Sequence, residues 1–275
     1  MFMRCYGGSD FPKPMHAQAR CFFSKRNRVY FLAMHTIPRS TFLFVFLRTY
    51  LVGAAFNMRG LQNVGFMYAV DPALSVIHQN APALRQARNR YVRHYNCHPY
   101  WTPLVAGMLL HTEAEIAKGR LSPEAFATIK DTAINTLSAL GDSVFGGTLL
   151  VTWALVMAAM IVSGHAGFAL VSSILLFLSL QLFKLATFIA GVRFGLSALF
   201  RMRRWNLINW GDRLKVCNVF LLLFFLLICL QEKDRPIFWA LAMTCTIVAA
   251  WLTARLHIPR ELLALAVAVA VLLMG

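Results

Sequence analysis

Apolar residues follow two rhythms along this chain. In the second half they form long uncharged runs at 145–162, 168–191, 216–230, 237–252 and 262–275, broken only by Lys184. The first two suit the ~20 predominantly apolar residues that a bilayer crossing takes. The last is short enough to be tilted, paired or only partly crossing. Ahead of residue 136 the pattern is finer. Residues 41–56 are apolar but interrupted by Arg48, which suits an interfacial or re-entrant helix better than a span. Asp71-Pro72 reads as a helix start, with Asp as N-cap and Pro in the first turn. Beyond Pro82, the residues Leu84, Ala87, Tyr91 and Tyr95 recur at helical spacing, with Arg85, Arg88 and Arg90 off that stripe. This basic amphipathic helix either lies on a membrane surface or supports Asn96-Cys97-His98-Pro99 at a site. Residues 101–110 form a short apolar stretch. Ser122-Pro123-Glu124 opens another helix, because Ser caps, Pro fits the first position and Glu favours the positive end. Its apolar face is Phe126, Ile129, Ile134, Leu137 and Leu140.

This pattern predicts an all-α integral membrane protein: amphipathic and re-entrant N-terminal helices, then a bundle of about five apolar segments. The expected divisions are a basic tail over 1–40, a helical region carrying polar motifs over 41–135, and a transmembrane bundle over 136–275. Composition agrees. Of 275 residues, 59% are hydrophobic and 14% charged, and the mean hydropathy is +0.60. A soluble domain is closer to roughly half apolar.

Charge sets the orientation. Lys and Arg outnumber Asp and Glu by 27 to 11, for a formal net charge of +16. The basic residues sit between apolar runs, which points to cytoplasmic loops facing anionic lipid and away from a nucleic-acid module. The N-terminal half and the stretches 193–215 and 254–261 are then cytoplasmic. The 163–167 turn, the 231–236 loop and the C-terminus face outward. The N-terminal 40 residues read as a cytoplasmic tail or as an extension upstream of a true start at Met34; no signal-peptide cleavage pattern follows 41–56. The cysteines show no C-x-x-C pairing and read as small buried hydrophobes. His94, Cys97 and His98 match no standard zinc spacing, so no metal is expected, and no cofactor.

Candidate chemistry centres on 136–150. Asp142 is the last charged side chain before Lys184, with His165 as the one titratable residue between them. A carboxylate at the mouth of such a run is by default a functional-site hypothesis. The alternative is an acid at the N-terminus of the next helix. Lys184 either snorkels or pairs with an acid, Asp142 or one on a partner. Asn57, Gln62, Asn96, His98, Glu113 and Asp142 are planar polar groups that hydrogen-bond, and all of them precede the main bundle.

An ordered set of short elements then resembles one family. Phe46-Leu47-Arg48-Thr49, with Asn57, Gln62 and Gly65-Phe66, is similar to the opening of the IID component of mannose/fructose/sorbose-family sugar phosphotransferase systems. His94-Tyr95-Asn96-Cys97-His98-Pro99 resembles its aromatic-Asn-Thr-x-Pro element, and Glu113 falls at its Glu pair. Leu140-Gly141-Asp142 through Thr148 is similar to its Gly-Asp-Pro-x-Phe-x-Gly-Thr element. Lys184-Leu185-Ala186-Thr187, with Gly191 and Gly195, resembles its Arg-Leu-Ala-Thr segment. The chain departs from the pattern at Arg93, Cys97, Ala114 and Ser143, and its loop after the third apolar segment is shorter.

The resemblance implies a non-catalytic membrane subunit that pairs with a IIC subunit, the pairs assembling as a trimer. The pair passes a mannose-type hexose inward across the bacterial inner membrane, and with a sugar as substrate Asn57, Gln62, Asn96, His98, Glu113 and Asp142 are the expected substrate-binding set, gathered at a cavity on broken or re-entrant helices. Phosphate comes from soluble IIA/IIB proteins and not from this chain. The other expectation in play is a non-transporting membrane scaffold or regulator derived from a IID subunit.

Overall fold

The computed structural model describes residues 37–229 together with Thr244, Ile247 and Val248. The tail before residue 37, most of the fourth run, the fifth run and the loops at 231–236 and 254–261 lie outside the described residues. The described chain is helical, with two isolated bridges, Asn57 to Leu61 and Leu61 to Tyr95. In order it forms α1 (Arg39–Arg48) with a 3-10 continuation (Thr49–Ala55), α2 (Asn63–Ile77), α3 (Ala81–Tyr91), α4 (Thr102–Ala117) and α5 (Pro123–Gly141). A π-helical stretch (Asp142–Leu149) leads into α6 (Leu150–Val162), followed by α7 (Ala166–Phe194), α8 (Leu196–Met202) and α9 (Leu207–Cys229). The described residues fall into two units, one within Met1–Val151 and Leu170–Lys215, the other within Thr152–Ala169 and Val216–Gly275.

In the first unit α4 is the core helix. Leu104, Val105, Ala106, Met108, Leu109 and Leu110 are all fully buried, which leaves this short apolar stretch no polar face. It crosses α7 backbone to backbone. A Cβ on Gly107 would lie 2.6 Å from the Phe188 carbonyl oxygen, and one on Gly191 would lie 2.6 Å from that of Leu104. Only glycine allows this approach. The crossing brings the start of α4 beside Phe183 and Lys184 of α7, where Trp101 and Phe183 meet edge to face at 5.1 Å.

The first helices pack on this core through apolar faces and a few paired charges. Interrupted by Arg48, 41–56 forms the expected short helix: Val45, Thr49 and Val52 are buried, while Leu43, Phe44 and Leu47 stay exposed. The expected helix start at Asp71-Pro72 is corrected. Helix α2 begins at Asn63 and runs through Pro72. A mid-helix proline leaves the carbonyl four residues back without its N–H, and here that carbonyl, Tyr68, accepts from Arg48 Nη1 at 3.1 Å. The same contact explains a cation in an apolar segment. Asp71, freed from capping, accepts from Arg88 of α3 at 2.8 Å.

Helix α3 shows the expected stripe as far as Tyr91, with Ala87 and Tyr91 fully buried. Tyr95 lies beyond the helix end but is buried too, stacked on Phe66 at 3.7 Å. Helix α5 starts as expected: Ser122 accepts from the Ala125 N–H at 3.4 Å, and Phe126, Ile134 and Leu137 are buried.

Asp142 does not start a new helix. One continuous helix of 40 residues, Pro123–Val162, passes through it. The backbone there closes five residues apart, and Thr148 spans the same interval by donating its hydroxyl to the Ser143 carbonyl. Such under-wound stretches concentrate at functional sites. Pro123–Val162 and Ala166–Phe194 are both long and apolar enough to cross a membrane. Along α7, Leu170, Leu175, Phe177 and Leu182 are each at least 60% exposed, a large apolar surface that water would not tolerate and lipid would cover.

The basic stretch at 193–215 is not one loop. Helix α9 starts at Leu207, so Arg213 and Lys215 lie on it, with Lys215 paired to Asp212 one turn away at 2.9 Å. In the second unit the hydroxyl of Thr152 donates to the Asn218 side chain at 2.7 Å.

Candidate functional site

The loop at 57–62 is stapled to the segment after α3. The Tyr95 N–H donates to the Gly60 carbonyl at 3.1 Å, and the Gln62 N–H donates to the Tyr95 carbonyl at 2.9 Å. Gln62 Oε1 also accepts from the Cys97 N–H at 3.4 Å. Asn57 holds the loop closed from inside. Its amide donates to the Leu61 carbonyl and the Asn63 side chain, and its oxygen accepts from the N–H groups of Arg59 and Gly60. These bonds use both amide protons and both oxygen lone pairs, the full capacity of the group. Asn57 therefore shapes the loop, and Asn96, half-buried next to Tyr95, stands on the frame it makes. Cys97 is 2% exposed, and burial pushes its thiol up to about 12.

His98 joins this frame to the long helix. A Cβ on Gly141 would meet the His98 Cβ at 2.3 Å, so the small residue admits the imidazole against the helix backbone. The ring stacks on Phe145 and Tyr100, each 5.4 Å away, and Nδ1 accepts from the Tyr100 N–H at 3.3 Å. Burial lowers the His98 pKa; the nearby Asp142 carboxylate opposes this and the Lys184 ammonium adds to it. His98 is thus neutral near pH 7, able to donate at one nitrogen and accept at the other. Asp142 is exposed one residue beyond Gly141, with no ion-pair partner among the described residues.

Lys184 faces the same group of rings. Its residue is 7% exposed, and its Nζ lies 3.8 Å from the centre of the Tyr50 ring and 5.5 Å from that of Tyr100. It makes no hydrogen bond or ion pair with any described residue. Tyr50, on the 3-10 continuation of α1, donates its hydroxyl to Gln181 Oε1 of α7 at 2.6 Å. His98, Asp142 and Lys184 thus lie near one another beside Tyr50, Tyr100 and Phe145, with Asn96 two residues before His98 in the chain.

Glu113 stands apart from this cluster. It lies eleven residues along α4 from Thr102, about 16 Å at the helical rise. Its side chain is fully buried. His78 Nε2 approaches Oε2 at 2.9 Å, and Arg90 donates through Nε at 2.9 Å and Nη2 at 2.6 Å. Burial pushes the carboxyl up, but the His78 and Arg90 bonds and the guanidinium charge outweigh it and hold it below the usual carboxylate range. Glu113 ties α2, α3 and α4 together.

Sequence reasoning missed Tyr50, Tyr100, Phe145 and Gln181. An aromatic in an apolar segment carries no mark that separates a lining ring from a core ring. The usable signal was indirect: an intramembrane lysine needs something to stand against.

These features define an integral membrane protein, all-α among the described residues, with a polar and aromatic cluster at the head of its long apolar helices. Residues 36–222 match the family described as PTS system mannose/fructose/sorbose family IID component, and the chain belongs to that family of membrane permease subunits. The PTS mannose-specific EIID component of Escherichia coli K12 is 30% identical over 155 residues, 56% of this chain and 53% of that protein. The fructose permease IID component of Bacillus subtilis strain 168 is 24% identical over 152 residues, 55% of this chain and 54% of that protein. The chain thus matches about half the length of these curated relatives. A solved structure described as "Structure of membrane protein" shares the fold, with a TM-score of 0.60 and 20% identity, covering 85% of this chain and 95% of its own. A cryo-electron microscopy structure of the mannose transporter ManYZ with microcin E492 (MceA) aligns with a TM-score of 0.47 and 21% identity, over 85% of this chain and 94% of that one.

Proposed function

We propose that this chain is the IID subunit of a sugar permease. With a IIC subunit it forms the translocation unit for phosphorylation-coupled uptake of a mannose-type hexose across the bacterial inner membrane. In this reading the N-terminus is cytoplasmic, anionic lipid meets the basic segments, and IIC–IID pairs assemble as a trimer. Phosphoryl transfer resides on the soluble IIA/IIB partners. The family match over 36–222 supports the assignment. The observation that carries it to this chain is neutral His98 with exposed Asp142 beside the rings of Tyr100 and Phe145, and half-buried Asn96 two residues before His98. The Asn96 amide donates and accepts, His98 donates through Nε2 because Nδ1 already accepts from Tyr100, and Asp142 accepts, while the rings offer flat apolar faces to the carbon skeleton of a sugar. Of the other candidates, Asn57 and Gln62 set the loop that presents Asn96, and Glu113 braces the helices behind it.

The test is uptake of radiolabelled mannose in cells that express the chain with IIC, IIA and IIB partners and lack their own mannose permease. Asn96→Ala and Asp142→Asn are expected to reduce uptake at normal expression. Wild-type uptake in both would remove the cluster from transport. The departures at Arg93, Cys97 and Ser143 favour a second reading, a membrane scaffold derived from a IID subunit. It requires that the unaltered chain support no hexose uptake with any IIC partner, and that no IIC, IIA or IIB genes lie beside its own.

A further inference from the structure

Lys184 is a largely buried residue whose ammonium reaches the cluster without a hydrogen bond or ion pair to any described residue. A lysine that is only 7% exposed over the whole residue ordinarily has a carboxylate or several carbonyl oxygens around its ammonium, because the desolvation of a charge is costly. Lys130 shows the usual solution in this same molecule: it is 1% exposed, and its Nζ donates to the carbonyls of Arg90 and Arg93 at 3.2 and 3.4 Å. Lys184 has no such acceptor. Its charge rests on the faces of Tyr50 and Tyr100, which stabilise a cation without using its protons. All three N–H donors therefore remain for something that enters from outside the chain.

The surroundings indicate what that is. Tyr50 is 45% exposed although its ring covers the ammonium, so the cover itself lies at an accessible surface. Its hydroxyl already donates to Gln181. His98 is close enough to both Asp142 and Lys184 to feel each charge. Around one imidazole there is thus a pure donor in Lys184, a pure acceptor in Asp142, and two aromatic faces.

We infer that Lys184 is a specificity-determining residue that donates hydrogen bonds to hydroxyl oxygens of a hexose lying against Tyr50 and Tyr100. The inference rests on the transport reading above and deepens it, since it places a ligand-reading donor on this subunit. A neutral polyhydroxylated ring matches the arrangement: its hydroxyls accept from the ammonium and donate to Asp142, and its C–H face covers a tyrosine ring.

The test uses the complete complex with its IIC subunit, with Lys184→Met and Lys184→Arg, radiolabelled mannose uptake, and thermal melting of the purified complex with and without mannose. The expected result for Lys184→Met is a KM raised by roughly tenfold to a hundredfold, the scale of one lost charge-assisted hydrogen bond. Mannose should no longer raise the Tm of the Lys184→Met complex as it does that of wild type. Lys184→Arg should recover uptake. An unchanged KM in Lys184→Met overturns the inference while leaving the transporter reading intact. A rise in Tm with mannose that persists undiminished in Lys184→Met also overturns it, since the ammonium then makes no bond to the sugar. Absence of any hexose uptake by the unaltered complex sinks both.

Discussion

Replacing Glu113 with glutamine keeps the shape of the side chain and removes its charge. The carboxylate is fully buried, and the Arg90 guanidinium that grips it through two bonds is only 16% exposed. After the change that guanidinium is left shielded from water without a counter-charge. Breaking a buried pair in this way costs about 3–5 kcal/mol. For a chain of this size each kcal/mol shifts the midpoint by roughly 2–4 °C, so the expected drop is on the order of 6–20 °C. Aliquots of detergent-purified protein would be heated in steps, and the folded fraction read by size-exclusion chromatography as an apparent Tm.

Two companions sharpen this experiment. In Arg90→Met with Glu113→Met both charges are gone, and the loss should be smaller than in Glu113→Gln alone. The second companion is pH. Because the folded pKa of Glu113 lies below its unfolded value of about 4.3, its contribution is fully present above that pH and is lost as pH falls through the folded value. The gap between wild type and Glu113→Gln should therefore close in strong acid, as the Glu113 carboxylate takes up a proton. A Glu113→Gln protein that melts with wild type while its mannose KM rises would refute the reasoning and return Glu113 to the sugar site.

Further tests follow from the same structure. Gly107→Ala should destabilise by about 1–3 kcal/mol, as overpacking does, because its methyl group would meet the Phe188 carbonyl at 2.6 Å; a Tm equal to wild type would mean that the α4–α7 crossing is looser than described. Arg48→Met should cost about 1 kcal/mol in the native chain and less in a Pro72→Ala background, where the restored N–H serves the Tyr68 carbonyl; equal losses in both would break the link between Arg48 and Pro72. With its thiol pushed up to about 12, Cys97 should be thiolate to only ~0.01% at pH 8 and resist maleimide in the folded protein, as peptide mass spectrometry would show; rapid labelling would contradict its burial.

Much of the fold was legible because long-range context adds little to some signals. The capped start at Ser122-Pro123-Glu124 and the apolar stripe behind it are local facts, and so is the uncharged length of α7. At Asp71-Pro72 the reading failed because a distant residue had overridden a local rule. Asp71-Pro72 looks like a helix start until Arg48, from another helix, supplies the bond the proline cannot make. The charges at 207–215 look like loop until Asp212 and Lys215 are seen one turn apart on one helix.

The candidate site was half legible. Asn96, His98, Asp142 and Lys184 carry chemistry that shows in the sequence. Asn57 and Glu113 carry the same chemistry, but their hydrogen bonds are taken up inside the chain, which no spacing reveals. Tyr50 was hidden by the apolar segment around it.

The backbone rings that close five residues apart at Asp142–Leu149 bear on how chain length can vary in this membrane region. Each such ring holds one residue more than the ordinary helical turn. A deletion at the 146–147 glycine pair can be absorbed by tightening to normal winding, which leaves the flanking segments in register. Elsewhere in Pro123–Val162 a lost residue would swing every following side chain through about 100° and present the wrong face to lipid. Single-residue length differences among relatives should therefore collect at this spot.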